Sequence, residues 1–151
     1  MGAGKTTVGR ILSKRLRLPF KDTDEVIEES EKMSITEIFR TKGEDYFRSV
    51  EQRVILSTPD EGERVMAVGG GGFNEKTITF LKNLGPTIFL DLSFEEVKKR
   101  IAIGRKRPLA DNANLFALFI KRKSFYSRAH YTVWTESLTV DEVVENILRL
   151  V

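Results

Sequence analysis

The sequence predicts an α/β domain built on a parallel sheet, and three observations support this. Short apolar runs alternate with stretches of helical periodicity along the 151 residues, which is typical of strand-helix-strand units. Residues 86–92 are almost continuously apolar, as expected for a strand buried on both faces. Four consecutive glycines end the apolar run 64–68 abruptly. The length leaves room for a single domain, over residues 1–151.

The first half of the chain predicts one strand and three helical stretches. A helix begins at or just after Lys5, because apolar residues recur behind it at helical spacing. A strand at residues 18–21 leads into the D-T-D triplet at 22–24. The S-I-T-E pattern at 34–37 is a capping box that opens a second helix, and residues 44–56 form another helical stretch.

The second half continues the alternation of strands and helices. Its predicted elements are, in order, a strand at 64–68, a helix at about 74–84, a strand at 86–92, a helix capped at Ser93 that ends near Gly104, a polar loop at 105–112, a helix to about Ala129, a strand at 131–134 and a last helix capped at Thr139.

Composition excludes several classes of function. The net charge of +3 is small and interspersed, which suits anionic small molecules and argues against nucleic acid as a partner. The absence of cysteine excludes disulfides and thiolate metal sites, and makes the reducing cytoplasm the expected compartment. A single histidine, His130, excludes a multi-histidine metal centre. No apolar run approaches the ~18 residues of a membrane span, so we expect neither export nor a membrane partner.

The opening residues M-G-A-G-K-T-T contain the second half of a phosphate-binding loop. Gly4, Lys5 and Thr6 match the last three positions of G-x-x-x-x-G-K-[ST], in which backbone N–H groups wrap a polyphosphate and the hydroxyl holds Mg²⁺. The first glycine and the strand that normally leads into the loop would precede Met1. A flexible tail is the alternative, but a tail would not need the amphipathic helix that follows.

Two motifs that contain carboxylates are candidates for a functional site. Asp22 and Asp24 follow an apolar strand, where carboxylates sit at the carboxyl edge of a parallel sheet beside a ligand; a helix cap would explain only one of them. Arg48 and Glu51 face the same way on a helix, so Glu51 could orient Arg48 toward an anion. A surface salt bridge is the alternative for this second pair.

Two loops complete the candidate site. Four glycines at residues 69–72 are entropically costly unless a ligand or another backbone must come close. The basic run Arg105, Lys106 and Arg107 precedes Pro108. It is either a solvated charge run or a lid whose arginines reach a transferring phosphoryl group.

In this order, the motifs G-K-T, D-T-D, F-R-x-x-E, G-G-G, R-P-L and R-x-x-x-Y resemble shikimate kinase, over nearly the whole chain. The resemblance implies a three-layer α/β/α P-loop kinase fold with a mobile lid at about residues 104–113. It implies ATP-dependent phosphorylation of the 3-hydroxyl of shikimate, on the route to chorismate and the aromatic amino acids. ATP and Mg²⁺ would be the cofactors, shikimate the substrate, and a cytoplasmic monomer the expected form.

The resemblance also assigns roles on the nucleotide side. The residues that would bind ATP are Gly2, Ala3, Gly4, Lys5, Thr6, Thr7, Arg100 and Arg107. Lys5 would stabilise the transition state, Arg107 would neutralise charge on the γ-phosphoryl group, and Arg100 would lie against the adenine. Thr6 would ligate Mg²⁺, with Asp22 assisting through water.

On the substrate side, the residues that would hold shikimate are Asp24, Arg48, Glu51, Gly70, Gly71 and Arg122. Arg48 and Arg122 would both bind the carboxylate, since arginine pairs with carboxylates bidentately, and Glu51 would steady Arg48. Asp24 would hold the shikimate hydroxyls and is the candidate base. Tyr126 is interpreted as a packing residue.

The chain departs from the family pattern in three places. Ala110 stands where a second leucine usually follows R-P-L, and Trp134-Thr135 leads to Leu138 where the family has a proline near the adenine. The third departure is the absent first strand, which in this fold would lie in the middle of the sheet. We hypothesise that the natural chain begins about ten residues earlier, with an apolar strand that ends in glycine.

Two alternatives remain open at this point. Another small-molecule P-loop kinase, of the gluconate or nucleoside-monophosphate type, would share the phosphate loop but would not need Arg48 and Arg122 aimed jointly at a carboxylate. A catalytically impaired nucleotide-binding domain would explain the truncated loop. The presence of every side chain that the chemistry needs argues against the second alternative.

Overall fold

The computed structural model describes residues 2–59, 61–104 and 112–151. The elements within these ranges are, in chain order, α1 (Lys5–Leu16), β1 (Phe20–Asp22), α2 (Thr23–Glu31), α3 (Ile35–Leu56), β2 (Val65–Ala67), α4 (Glu75–Leu84), β3 (Ile88–Asp91), α5 (Phe94–Gly104), α6 (Asn112–Tyr126), β4 (Tyr131–Trp134) and α7 (Val140–Leu148). Each strand is followed by a helix, as the alternating pattern predicts.

The helix starts that the sequence predicted are confirmed. The Ser34 side chain accepts from the backbone N–H of Glu37, whose own side chain accepts from the backbone N–H of Ser34. Thr139 and Glu142 form the same reciprocal box at α7. Caps of this kind stabilise a helix by about 1 kcal/mol each, and they depend only on residues close in sequence.

Helix α2 is the element that the sequence analysis missed. The side chain of Asp22 accepts from the backbone N–H of Asp24 at 3.0 Å and thereby caps a helix that starts at Thr23. The two helical stretches predicted on either side of residue 43 are the halves of α3. Gly43 interrupts α3 with φ 83° and ψ 171°, a conformation that side-chain-bearing residues rarely adopt.

The strands form two separate parallel pairs. Phe20 in β1 lies opposite Val65 in β2, and Ile88 in β3 lies opposite Tyr131 in β4. The main core joins α1 and α7 to the second pair. Its buried members are Ala3, Val8, Leu12, Leu90, Leu92, Val97, Val133, Val143, Val144 and Ile147. The predicted α/β class with parallel strands is confirmed, while the single-domain division over residues 1–151 stays a prediction.

Between the two pairs lies a cavity of about 580 Å³, lined by residues of β2, β3 and the apolar face of α1. Strands β2 and β3 both contribute to its wall but do not pair with each other. The opening therefore lies in the middle of the strand layer, where the resemblance puts the first strand of the fold.

We expect an added amino-terminal segment to fill this cavity. An extension of about ten residues, apolar and ending in glycine, should raise Tm by at least about 5 °C, because it buries apolar surface and pairs free strand edges. Differential scanning calorimetry measures the shift. The control extension carries two prolines within the apolar run, which remove ladder donors. Equal shifts for the two extensions would contradict the expectation.

Candidate active site

The loop at residues 2–4 leaves the start of α1 open to a ligand. Gly2 and Gly4 have φ values of 63° and 74°, a left-handed conformation that suits glycine. Gly4 is the N-cap of α1 and supplies no side-chain cap. A side chain caps every other helix whose N-cap is described: Asp22 for α2, Ser34 for α3, Asn74 for α4, Ser93 for α5 and Thr139 for α7. Free N–H groups and the positive helix end favour phosphate at α1.

Thr6 and Asp22 lie together beside this loop, as predicted. The Thr6 hydroxyl donates to Asp22 Oδ2 at 2.6 Å, and Asp22 is buried. Hydroxyl and carboxylate oxygens are the donors that Mg²⁺ prefers. Among the described residues no group of three or more histidine, cysteine, aspartate or glutamate side chains could hold a metal ion. A site with few protein ligands fits Mg²⁺ that also binds phosphate oxygens.

The surroundings of Asp24 raise the pKa of its carboxyl group. Burial raises the pKa of Asp24 above its usual value of 3.8, the nearby charges of Asp22 and Glu51 raise it further, and Lys5 opposes them. A carboxyl group with a raised pKa is better suited to accept a proton from a hydroxyl. Asp24 lies close to the phosphate loop, because its N–H donates to Asp22, which also accepts from the Thr6 hydroxyl.

Arg48 is held in place by two carboxylates. Its Nη1 lies 2.8 Å from Glu51 Oε2, and its Nη2 lies 3.0 Å from Glu44 Oε1. The Glu51 side chain is only 2% exposed, so this contact is not the surface salt bridge of the alternative interpretation. Burial alone would lower the pKa of Arg48, but its hydrogen bonds to Glu51 and Glu44 outweigh burial and raise it. The guanidinium is charged and has a fixed direction.

The glycine run at residues 69–72 is the meeting point of these side chains. A Cβ on Gly71 would lie 1.6 Å from Arg48 Nη1, and a Cβ on Gly69 would lie 2.7 Å from Asp24 Oδ1. A Cβ on Gly70 would lie 3.6 Å from Arg122 Nη1. The close approach expected from four glycines is therefore present, and it brings Arg48 and Arg122 to neighbouring residues of one loop.

Three hydroxyl groups that sequence reasoning did not assign hold the glycine run. The Gly69 N–H donates to Thr23 Oγ1 at 2.8 Å, and the Thr77 hydroxyl donates to the Gly72 carbonyl at 2.6 Å. The Tyr126 hydroxyl donates to the Gly70 carbonyl. Burial raises the pKa of Tyr126 above 10, so this phenol remains a donor at neutral pH. Its position four residues after Arg122 was the available sequence signal.

Arg100 lies at the edge of the site. Arg100 bonds Glu96 Oε1 at 2.7 Å and the Gly2 carbonyl at 3.2 Å, so it lies against the phosphate loop. Trp134 is 49% exposed at the end of β4. Arg107, Ala110 and most of the predicted lid at 104–113 lie outside the described residues.

Comparison with known proteins identifies the family. The model of the family described as shikimate kinase matches residues 1–151. This chain belongs to the shikimate kinase family. The shikimate kinase of Aquifex aeolicus (strain VF5) is 39% identical over 151 residues, which cover 98% of this chain and 89% of that relative. A crystal structure of shikimate kinase from Acinetobacter baumannii in complex with shikimate has a TM-score of 0.89 at 34% identity, and covers 99% of this chain and 87% of that one.

A more distant match shows how far the fold alone extends. A gluconokinase from Sinorhizobium meliloti 1021 has a TM-score of 0.57 at 16% identity, a likeness of fold only. Membership in the shikimate kinase family confirms that the chain is a kinase and confirms the predicted α/β P-loop kinase fold. Among the residues that the structure describes, no helix has the length and apolar character needed to cross a bilayer.

Asp24→Asn should stabilise the protein and impair its catalysis. The folded state holds the Asp24 proton more tightly than the unfolded chain, so the ionised carboxylate destabilises the fold at neutral pH, and this effect disappears as the pH falls through the raised pKa. We expect a higher Tm at neutral pH, a smaller gain in acid, and a kcat lower by at least about 100-fold. Glu29→Gln, exposed on the same helix, is the control. A lower Tm for Asp24→Asn at neutral pH would contradict the sign.

Gly71→Ala should displace Arg48 without unfolding the protein. The new Cβ would overlap the end of a flexible side chain rather than backbone, so the guanidinium must move. We expect KM for shikimate to rise about tenfold, which corresponds to one lost charge-assisted contact. Steady-state kinetics measure the change. Gly85→Ala is the matched control, because a Cβ there meets nothing within 4 Å. An unchanged KM in Gly71→Ala would remove Arg48 from the substrate site.

Proposed function

We propose that this protein transfers the γ-phosphoryl group of ATP to the 3-hydroxyl of shikimate, yielding ADP and shikimate 3-phosphate. The observation that carries the proposal is the convergence of Arg48 and Arg122 on adjacent glycines, 70 and 71, in a chain of the shikimate kinase family. A small substrate with one carboxylate and several hydroxyls fits two guanidiniums on one side and a carboxylate on the other. The reaction serves the route to chorismate and the aromatic amino acids.

On the nucleotide side, the loop residues Gly2, Ala3, Gly4, Lys5, Thr6 and Thr7 bind the phosphates of ATP through the start of α1. Lys5, at the first position of α1, neutralises charge that develops on the transferred group. Arg100 donates to the Gly2 carbonyl of the loop and contributes to nucleotide binding. Arg107 is proposed as the second cation on the γ-phosphoryl group, from the basic run that precedes Pro108.

Mg²⁺ fits the oxygen donors at Thr6 and Asp22. Their 2.6 Å contact supports a site in which the Thr6 hydroxyl is a direct ligand and Asp22 acts through water. The ion would neutralise phosphate charge when bound. Asp22 also caps α2, so one carboxylate serves both the metal site and the position of Asp24.

On the substrate side, Asp24 binds the hydroxyls and accepts the proton of the attacking one. Its raised pKa and its proximity to Lys5 support this role. Arg48, steadied by Glu51, and Arg122 bind the carboxylate of shikimate, while the backbone of Gly70 and Gly71 lines the same side. Phosphoryl transfer asks the protein chiefly for such positioning and charge stabilisation.

We further propose a cytoplasmic monomer whose partners are shikimate and ATP, with neither nucleic acid nor membrane bound. The small, interspersed net charge of +3 and the absence of cysteine support this description.

The deciding assay measures ADP release with ATP and Mg²⁺, and with shikimate, gluconate or nucleoside monophosphates as acceptors. We expect turnover with shikimate only, lost by at least about 100-fold in Lys5→Met and retained in the control Lys14→Met, which changes an exposed lysine of the same helix. The chain is assayed alone and with the apolar extension described above. Recovery only with the extension would identify the 151-residue chain as catalytically impaired. Silence of both forms, or preference for another acceptor, would overturn the shikimate assignment.

A further inference from the structure

Helix α6 carries Arg122 but is tied to the strands mainly through side chains. Among the described residues, no backbone hydrogen bond joins α6 to another element. Two residues that follow Arg122 on α6 make polar contacts with other elements. Lys123 Nζ lies 2.8 Å from Asp91 Oδ2 at the end of β3, and the Tyr126 hydroxyl donates to the Gly70 carbonyl. Only the second contact reaches the glycine run.

The ring of Tyr126 contacts two other aromatic rings at the border of the cavity between β2 and β3. It packs edge-on against Phe73, with ring centres 5.3 Å apart and planes at 85°, and against Phe89 at 5.2 Å. Phe73 follows the glycine run directly, and Phe89 belongs to β3. The aromatic pairs therefore aim the phenol at one acceptor, and α6 is held at a set distance from residues 69–72.

Arg122 lies one helical turn before Tyr126, so both side chains emerge on the same face of α6. A Cβ at Gly70 would lie 3.3 Å from the Tyr126 hydroxyl and 3.6 Å from Arg122 Nη1. The phenol and the guanidinium thus border the same glycine. A shift of Tyr126 relative to the loop would shift Arg122 with it.

The hydrogen bond also orients the loop backbone. A trans peptide is planar, and its C=O and N–H groups point in opposite directions. Holding the Gly70 carbonyl toward α6 therefore directs the Gly71 N–H away from α6. That N–H belongs to the backbone proposed to line the shikimate site, beside Arg48.

We propose that Tyr126 is a positioning residue, which sets the place of Arg122 and the direction of the Gly71 N–H in the substrate site through its bond to the Gly70 carbonyl. This role rests on the proposed function and adds a residue that does not itself contact the reacting atoms. It accounts for the bond made by a partly buried phenol, since a hydroxyl that is removed from water needs an acceptor.

The first test is kinetic, with Tyr126→Phe in the form of the chain that turns over shikimate. The ring packing is kept, so the variant should fold. We expect KM for shikimate to rise about tenfold, while KM for ATP changes by less than about twofold. Tyr131→Phe, which removes a phenol from exposed β4, is the control and should change neither. A fall in apparent kcat with both KM values unchanged is what a general loss of stability would give, and it would overturn the proposal, as would a similar rise in both KM values or unchanged kinetics.

A double-mutant cycle then asks whether Tyr126 acts through Arg122. Coupled residues give effects that do not multiply, so Tyr126→Phe should raise KM for shikimate less in an Arg122→Met background than in the wild-type background. Equal fold-changes in the two backgrounds would overturn the link to Arg122.

The second test does not depend on activity and separates this inference from the proposed function. Amide hydrogen exchange at residues 70–72 should be at least about threefold faster in Tyr126→Phe than in Tyr131→Phe, because the loop loses one of its anchors. Unchanged exchange would overturn the positioning role even in a protein that phosphorylates shikimate. Faster exchange in a protein without shikimate turnover would keep the anchor while the proposed function fails.

Discussion

The candidate site depends on the absence of side chains at residues 69–72. This run follows β2, and charged groups from α2 and α3 approach its backbone more closely than a Cβ would allow, while Arg122 of α6 lies at ordinary contact distance from Gly70. Arg48 occupies the space that a side chain at Gly71 would take, and Asp24 and Glu51 do the same at Gly69. The consecutive helices α2 and α3 and the distant helix α6 can therefore bring polar side chains to one loop.

The charged side chains at this loop form one network rather than a set of separate ion pairs. Three carboxylates, of Asp22, Asp24 and Glu51, lie close enough to influence one another, and Lys5 and Arg48 offset part of their repulsion. The repulsion that is not offset acts on Asp24, whose pKa is raised by burial and by the neighbouring carboxylates. A group held in an unfavourable charge state is a common feature of sites that transfer protons, because stability is given up where reactivity is needed.

The packing around the phosphate loop is less complete. Helix α1 packs against α7 and the β3–β4 pair, with Ala3, Val8 and Leu12 in that core. The same three residues and Leu16 also border the cavity of about 580 Å³ between β2 and β3. The backbone turn that presents α1 to phosphate thus rests on packing from one side, while the strand layer beneath it is open at its centre. On the substrate side, β2, Gly70 and Tyr126 border the same cavity, whereas Arg48 and Glu51 of α3 do not.

Sequence by itself determined the features that depend on near neighbours. The capping boxes at Ser34 and Thr139, the glycine turn into α1 and the Arg48–Glu51 pair each join residues at most four positions apart, so their patterns are visible in the chain. The ordered motifs also predicted the family, which the comparisons confirm. Helix α2 was missed because function was preferred as the explanation of both aspartates, although Asp22 caps that helix, as the helix-cap alternative for one of them allowed.

Tertiary structure decided what distant residues do together. The contacts of Thr23 with Gly69 and of Tyr126 with Gly70 span 46 and 56 residues, and no local pattern encodes which hydroxyl meets which backbone group. The direction of the Asp24 pKa shift likewise depends on burial and on charges brought from other elements. The strands separate into two pairs because packing decides which strand edges come together. Desolvation and long-range contact arise only when the chain is packed, and that is the reason these features could not be predicted from the sequence.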